Sequence, residues 1–505
     1  MNPSASSLTY EPADEARDVA ARLDAYTRRE LGGDEGREAV ELDLAGALRE
    51  AQRAGREYLS AQEDYLIAAI GLLVERHLWS PRFFNDTFVG IAGAGDQGRF
   101  EHALSIINTL RATQRLPFGG EVEARWITRA TDQLRQQATG YYVQSSELGI
   151  SGNVPLLRGA GDVAREGLIS AERNLVYQAR EFERFRRQYL VSVSTDYFAL
   201  IQTQARITNQ ERQLASLETF RRGTSERVAA GRIREFERAI ADNEVLSATA
   251  ALAGLRESYI LQLDRFKVRL GMSPDRPLVI RPIGFDLPEP EADPAAAATL
   301  ALDLRLDVQN ARDRVDDARR AVANARNGLL PDLNVTAGVS VPTSGGTDVG
   351  GYGFDPDDTR YQAGLTLSLP LDRTIETLAL RRSLIDLERQ GRAFERRRDE
   401  TVVEVRGALR NVELARFQLT LAERAVEINQ RRLEEQQLRI DQVEPQKVVD
   451  SENALLNAEN ARDQATTTLR VAILEYLLAT DQLRVAEDGS FEPLPGMVRR
   501  QAPAP

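Results

Sequence analysis

The chain has 505 residues, of which 42% are hydrophobic, 28% charged and only 6% aromatic, a composition typical of long helices packed through aliphatic side chains. The formal net charge of −12 argues against a nucleic-acid partner, because an acidic surface repels phosphate backbones. The absence of cysteine excludes disulfides, thiolate metal sites and cysteine nucleophiles.

Membrane-targeting signals are not visible in the sequence. There is no run of about 18 apolar residues, so we expect no transmembrane helix, whereas short alternating strands of a β-barrel remain allowed. The N-terminal residues lack the apolar core of a signal peptide. We expect residues 1–38 and 488–505 to be disordered.

The first repeat is predicted over residues 39–273. It begins with a helix from Tyr58 to Ser80, and an insertion at 82–116, whose structure the pattern leaves open, follows. Apolar and polar residues then alternate around Trp126 and again before Pro155, which predicts two strands with one apolar face each.

A long helical hairpin completes this repeat. One seven-residue apolar lattice, interrupted by Arg221, is formed by Val193, Leu200, Ile207, Leu214 and Val228. The seam of the returning helix is formed by Leu252, Tyr259 and Phe266. A strict seven-residue period indicates a helix that packs as a coiled coil. The turn between the two helices is predicted at Ala230-Gly231-Arg232.

A second copy of the same unit is predicted over 297–487, after a proline-rich linker at 274–296. Its lattice is formed by Val405, Val412, Leu419, Val426, Leu433 and Ile440. Each of these residues lies 212 residues after a position of the lattice in the first repeat. The returning helix carries Ala458, Ala465, Ala472 and Ala479 seven residues apart. A lattice that recurs in register indicates an internal duplication.

The strands of the two repeats also share a motif. Gly149 and Pro155 are separated by five residues and followed by leucine, as are Gly364 and Pro370. We interpret these four residues as strand-to-helix exits. In the second repeat, Val335 to Val341 and Leu365 to Leu371 alternate apolar with polar residues, and the intervening loop is rich in Gly, Asp and Pro, which predicts a hairpin.

These motifs, in this order and in two copies, resemble the TolC-like outer-membrane efflux family over roughly residues 40–485. Ala325-Arg-Asn-Gly-Leu-Leu-Pro331-Asp-Leu333 is similar to the start of the family's third strand. The resemblance implies a mainly α fold with a β-barrel contribution. Each subunit would provide four strands to one barrel closed by a homotrimer in outer-membrane lipid, with a helical tube in the periplasm of a Gram-negative-type bacterium.

The resemblance also implies a passive channel with no catalytic residue, cofactor or metal. Its helical tips would contact a periplasmic adaptor joined to an inner-membrane pump of the RND, ABC or MFS type. The positions that match the family's tips are Ala230, Gly231, Arg232, Val443, Glu444 and Pro445. Glu237 and Asp450 match the acidic residues that narrow the family's periplasmic mouth, so they are candidate gate residues.

Other interpretations of single motifs stay open at the level of sequence. Heptads alone also fit a non-membrane coiled-coil scaffold. The glycine pattern from Gly93 to Gly98, between a strand-like stretch and an apparently helical one at Phe100–Ala112, could cradle a dinucleotide phosphate. His77 and His102 lack a metal-ligand cluster nearby, and the spacing of Asp355, Asp357 and Asp358 fits no calcium loop.

Overall fold

A computed structural model describes residues 40–96, 99–133, 142–282, 293–343, 352–439, 445–486, 489 and 491–492. Helices dominate these residues. In chain order they are α1 (Leu44–Ala54), α2 (Arg56–His77), α3 (Glu166–Ala229), α4 (Glu235–Arg269), α5 (Pro294–Leu304), α6 (Leu306–Asn327), α7 (Thr374–Leu438) and α8 (Pro445–Ala479). No helix in the described parts of the chain is long and apolar enough to cross a membrane.

The largest sheet has six antiparallel strands rather than the four expected from the sequence. In spatial order they are β2 (Arg82–Asp96), β3 (Arg99–Arg115), β4 (Glu121–Gln133), β5 (Tyr142–Pro155), β7 (Asp332–Pro342) and β8 (Arg360–Ser368). Two small pairs join β1 (Val40–Leu42) to β6 (Leu278–Ile280), in parallel, and β9 (Arg484–Val485) to β10 (Phe491–Glu492).

The two additional strands come from the insertion at 82–116. Strand β2 pairs with β3 along its whole length, and β3 continues into β4 through a tight turn. In that turn Gly120 has a φ of +87°, and a Cβ there would lie 2.0 Å from the carbonyl oxygen of Asn153, so only glycine fits. The predicted helix at Phe100–Ala112 is therefore wrong: those residues lie in β3, so the described residues around the glycine pattern form no phosphate-binding strand-helix unit.

The chain divides into two compact units. The helical unit comprises the described residues of 1–63, 181–309 and 397–505, and the sheet unit comprises those of 64–180 and 310–396. The predicted heptads form the core of the helical unit: Val193, Leu200, Val405, Val412, Leu252, Tyr259, Phe266, Ala458, Ala465 and Ala472 are all buried. A second buried cluster around Leu217, Phe220, Val245 and Val449 packs α3 against α4 and α8.

The returning helices of the two repeats end in the same cap with different residues. After α4, Gly271 has a φ of +78°, and the amide of Met272 donates to the carbonyl of Lys267. After α8, Asp481 has a φ of +58°, and Gln482 donates to Leu477 in the same pattern. An aspartate tolerates this left-handed conformation here while its carboxylate pairs with the buried Arg187 at 2.8 Å.

Within the helical unit a charged cluster fixes the start of α6. The buried guanidinium of Arg305 donates to Asp307, and Arg184 and Arg397 also pair with this carboxylate. Burial would raise the pKa of Asp307, but the hydrogen bond and charge of Arg305 and the charges of Arg184 and Arg397 outweigh it. They hold this pKa well below its ordinary value.

Within the sheet unit, α3 and α6 are joined by polar contacts. Arg173 Nε donates to Asp317 at 2.9 Å, and the Tyr177 hydroxyl donates to the same carboxylate. Burial and that hydrogen bond raise the pKa of Tyr177 to about 12. At the end of α6, Asn327 accepts a hydrogen bond from the Gly159 amide at 2.7 Å and donates to Leu157 O at 3.2 Å. Asn327 thus ties the connection after β5 to the end of α6.

Candidate channel-lining sheet and helical tips

One face of the six-stranded sheet is apolar yet exposed. Side chains alternate between faces along each strand, so the pairing register assigns every residue to one face. The exposed apolar side chains that share this face are Phe83, Val89, Ile91, Ile106, Leu110, Leu148, Ile150, Val339, Tyr361, Leu365 and Leu367. A sheet that leaves such a face uncovered in its own chain needs an apolar environment from outside the chain.

Three polar side chains on this apolar face are hydrogen-bonded to one another. Asn108 Nδ2 on β3 donates to Asn85 Oδ1 at 2.8 Å and to Thr87 Oγ1 at 2.7 Å, both on the neighbouring strand β2. A cross-strand network of this kind removes much of the penalty for polar groups that lack water.

The opposite face of the sheet is mostly polar and charged. Its ionisable side chains within the described residues are Arg82, Asp86, Arg111, Arg115, Glu121, Glu123, Arg125, Arg129, Glu147, Asp332 and Arg360. Arg111 pairs with Asp86 at 3.3 Å and stacks over the ring of Phe84. Arg125 and Arg129 approach the single carboxylate of Glu147 at 3.5 and 3.8 Å. This face suits contact with water and charged solutes.

The predicted strand-to-helix exits lie partly inside the sheet. Pro155 is the last residue of β5, and Pro370 lies between β8 and α7. Gly149 and Gly364 instead lie within β5 and β8, both on the polar face. A Cβ at Gly149 would meet Ser340 Cβ at 3.3 Å and Arg125 Nε at 3.6 Å. The motif therefore combines a strand end with a small residue on the polar face.

The first helical tip is closed by Gly231. Helix α3 ends at Ala229, the Arg232 amide donates to Arg227 O at 2.9 Å, and the Gly231 amide donates to Val228 O at 2.9 Å. This pair of bonds is the Schellman cap, whose central residue takes a positive φ, here +71° at Gly231. Ala230, Gly231 and Arg232 are largely exposed, so this tip is open to a partner.

The second helical tip is only partly described. Val443 and Glu444 lie outside the described residues, and Pro445 is the first residue of α8. Proline suits this position because the first helical amide has no acceptor within the helix, and its fixed φ matches the helix.

The candidate gate residues have different surroundings within the helical unit. Glu237, in the first turn of α4, is half-buried, and its Oε2 is buried without a hydrogen-bond partner among the described residues. Asp450 on α8 is exposed and accepts a hydrogen bond from Gln446 at 3.0 Å. The sequence gives no sign that Glu452, two residues later, is the buried carboxylate.

Glu452 accepts hydrogen bonds from Ser216 on α3 and Gln437 on α7. Burial raises its pKa, with a smaller contribution from Glu459, while these two hydrogen bonds lower it. Three helices therefore meet at one acidic side chain near the described ends of the hairpins.

The remaining sequence candidates have structural roles. Asp355 caps a short helical turn by accepting from the Asp357 amide at 3.0 Å. The Nδ1 of His77 lies 3.2 Å from the Ser80 hydroxyl, at the end of α2. The described residues contain no group of His, Cys, Asp and Glu side chains that could hold a metal ion.

Long helical hairpins and an antiparallel sheet with one exposed apolar and one polar face make up the TolC-like fold. Residues 297–475 match the family described as outer membrane efflux protein. A comparison with curated proteins gave no match.

Solved structures extend the similarity over most of the chain. The outer-membrane protein VceC of Vibrio cholerae is 17% identical, with a TM-score of 0.66 over 86% of this chain and 95% of VceC. The CmeC channel of Campylobacter jejuni is 15% identical, with a TM-score of 0.64 over 90% and 87%. The open-state MtrE channel of Neisseria gonorrhoeae is 16% identical, with a TM-score of 0.62 over 86% and 88%. At these identities the matches establish the fold.

Proposed function

We propose that three copies of this chain form one continuous channel that passively conducts substrates out of the periplasm. The observation that carries the proposal is the contrast between the two faces of one sheet. The apolar face would lie against lipid, and the polar face would line the conduit. Channels of this class form trimers in efflux systems, which supports the same stoichiometry here.

The edges of the sheet support closure between copies. Among the described strands, β2 and β8 each have one neighbour, so each presents a row of unpaired backbone groups. In lipid those groups need a partner, and the edge strand of a neighbouring copy provides one. Because six is even, β8 of one copy and β2 of the next would continue the antiparallel alternation. Three copies would close a ring of 18 strands, where four strands per copy would give a narrower ring.

Two helical seams in the helical unit also suit a neighbouring copy. On α7, Leu414, Leu421 and Ile428 are exposed and spaced seven residues apart; on α4, Leu261 and Val268 repeat this spacing. Heptad seams of this kind are buried by another helix in coiled coils. Two different seams on one chain favour the head-to-tail contacts that generate a ring.

The tips would connect the channel to its partners. Ala230-Gly231-Arg232, together with Val443-Glu444-Pro445, would contact a periplasmic adaptor joined to an inner-membrane pump of the RND, ABC or MFS type. Glu237 and Asp450 would narrow the periplasmic mouth. The rigid glycine cap at the first tip supports this assignment, because it holds exposed backbone in one conformation. The pump would supply the energy for transport.

Cross-linking of the sheet edges tests the assembly. The natural chain has no cysteine, so Val89→Cys on β2 and Leu365→Cys on β8 can be introduced without background. Both positions lie on the apolar face. Treatment of outer membranes with a short bismaleimide should convert the double variant to covalent dimers and trimers. A trimer as the largest product is expected, because a closed ring offers no further edge.

Each single-cysteine variant is the matched control. Because the proposed contact joins two different edges, Val89→Cys alone and Leu365→Cys alone should stay monomeric on denaturing gels. Cross-linked products of unlimited size, or efficient cross-linking of either single variant, would contradict the closed head-to-tail ring. A chain that purifies as a water-soluble monomer would contradict the channel itself.

A further inference from the structure

The polar face of the sheet contains a row of arginines. Residues that pair directly across adjacent strands form one line over all six strands, and this line contains Phe84, Arg111, Arg125, Gly149, Ser340 and Arg360. Arg111 lies directly opposite Arg125 on the adjacent strand. Like charges directly opposite each other destabilise a strand pair, and here Asp86 and Glu147 offset the two charges.

A groove opens within this row. Between Arg125 and Arg360 the line passes through Gly149 and Ser340, whose side chains are too short to fill the space. Three strand spacings separate the two arginines, a backbone distance of about 14 Å. The resulting groove has a volume of about 210 Å³, and Glu147 and Gln362 also contribute to its lining. Two long cationic side chains therefore flank a small polar space.

The charges around the groove do not balance. Among the described residues that line it, Glu147 is the only acidic one, and its carboxylate is approached by both Arg125 and Arg129. Among the described residues, no carboxylate forms an ion pair with Arg360. The groove thus has an excess of guanidinium groups, although the chain as a whole is acidic.

We propose that this groove binds the carboxylate or phosphate group of an anionic solute through Arg125 and Arg360. A guanidinium presents paired N–H donors that match the oxygens of both groups. The site faces away from the apolar surface of the sheet, so its ligand is a dissolved anion rather than a lipid headgroup. The role of the groove as a selectivity site rests on the proposed channel function, whereas anion binding does not.

Inorganic phosphate is a suitable probe, because it contains no other recognition element. The full-length protein in a neutral detergent should bind phosphate in a calorimetric titration. The double variant Arg125→Gln/Arg360→Gln should bind it at least about tenfold more weakly. Gln362→Glu, which adds a carboxylate to the groove but keeps both arginines, should also weaken binding. Arg382→Gln, on an exposed part of α7, removes one positive charge away from the groove and should leave binding unchanged.

Recordings across neutral-lipid bilayers separate the two proposals. With a potassium chloride gradient, the natural protein should prefer chloride, and the double variant should shift toward potassium while Arg382→Gln does not. Phosphate binding without ionic current would contradict conduction but retain the anion site. Equal phosphate binding by all variants, or none by the natural protein, would overturn the anion site whatever the current shows.

Discussion

The helical unit and the sheet unit place apolar side chains in opposite situations. In the helical unit most of the described heptad residues of both repeats pack against one another and are buried within the chain. In the sheet unit the alternating residues of β2, β5, β7 and β8 share one face and are exposed. Both patterns are equally regular in the sequence, so periodicity alone does not tell which surface a single chain can bury.

The helical unit can therefore be stabilised within one chain, whereas the sheet unit depends on what surrounds the chain. A helical hairpin satisfies its backbone internally and needs only side-chain contacts. A sheet with two free edges and an exposed apolar face needs both backbone partners and an apolar solvent. Substitutions in the two units should therefore be detected by different measurements.

The largest effect is expected in the core of the helical unit. Phe266→Ala, at a side chain only 1% exposed, should lower the free energy of unfolding by about 3–5 kcal/mol through lost burial and a cavity. Phe417→Ala on α7, where the ring is 62% exposed, is the matched control and should leave the isolated subunit within about 0.5 kcal/mol of the natural chain. Urea unfolding, followed by the circular dichroism of the helices, measures the free energy of unfolding of both variants. Equal losses in the two variants would contradict the expected difference between buried and exposed positions.

A charge on each face of one strand tests the assignment of the sheet faces. Val335 and Thr336 are neighbours on β7 but lie on the apolar and polar faces, respectively. Val335→Arg should destabilise the folded protein in lipid vesicles by about 2–4 kcal/mol, because a guanidinium would face hydrocarbon. Thr336→Arg should have little effect. If Thr336→Arg proves the more harmful change, the two faces have been assigned the wrong way round.

The elements defined by local spacing were predictable from the sequence. The lattices that include Val193 and Val405 follow from a seven-residue period, and both residues are buried as a coiled-coil seam requires. The glycine in Ala230-Gly231-Arg232 marks the end of α3 because this cap needs a positive φ.

The features that depend on distant pairing were not predictable. Strand β3 was predicted as a helix, and the strand-like stretch in β2 was not assigned to the sheet, because Phe84, Phe88 and Ile107 interrupt the polar side of their alternation. Arg125 and Arg360 share a groove only through the register of four strands from both repeats. The burial of Glu452 likewise depends on how three helices pack. No local pattern encodes these arrangements.

A moderate, pH-dependent effect is expected at Asp307. Its pKa is depressed in the folded protein, so its stabilising contribution is complete above the ordinary aspartate pKa of about 4 and is lost as the pH falls further. Asp307→Asn should lower the free energy of unfolding by about 2 kcal/mol at pH 7, less than for a fully buried pair, because the carboxylate retains some exposure.

The same variant should weaken the acid dependence of stability. Between pH 4 and pH 2 the natural protein should lose stability more steeply than Asp307→Asn, since only the natural protein binds this proton on unfolding. Urea midpoints across that range measure the difference. Parallel pH profiles for the two proteins would show that the arginines around Asp307 do not stabilise its charged form.

The smallest effects are expected at two glycines near the end of α3, and they should differ in sign. Gly231→Ala places a Cβ on a residue with a φ of +71° and should destabilise the tip by about 1 kcal/mol. Gly223→Ala lies within the helix, where a Cβ meets nothing within 4 Å, and should stabilise it by about 0.5–1 kcal/mol. Hydrogen exchange of the amides around residues 225–240 resolves these local changes, with Gly231→Ala accelerating exchange and Gly223→Ala slowing it. A shift in the same direction for both variants would mean that the tip does not depend on the glycine cap, and that Gly231 does not hold the exposed backbone in the conformation offered to an adaptor.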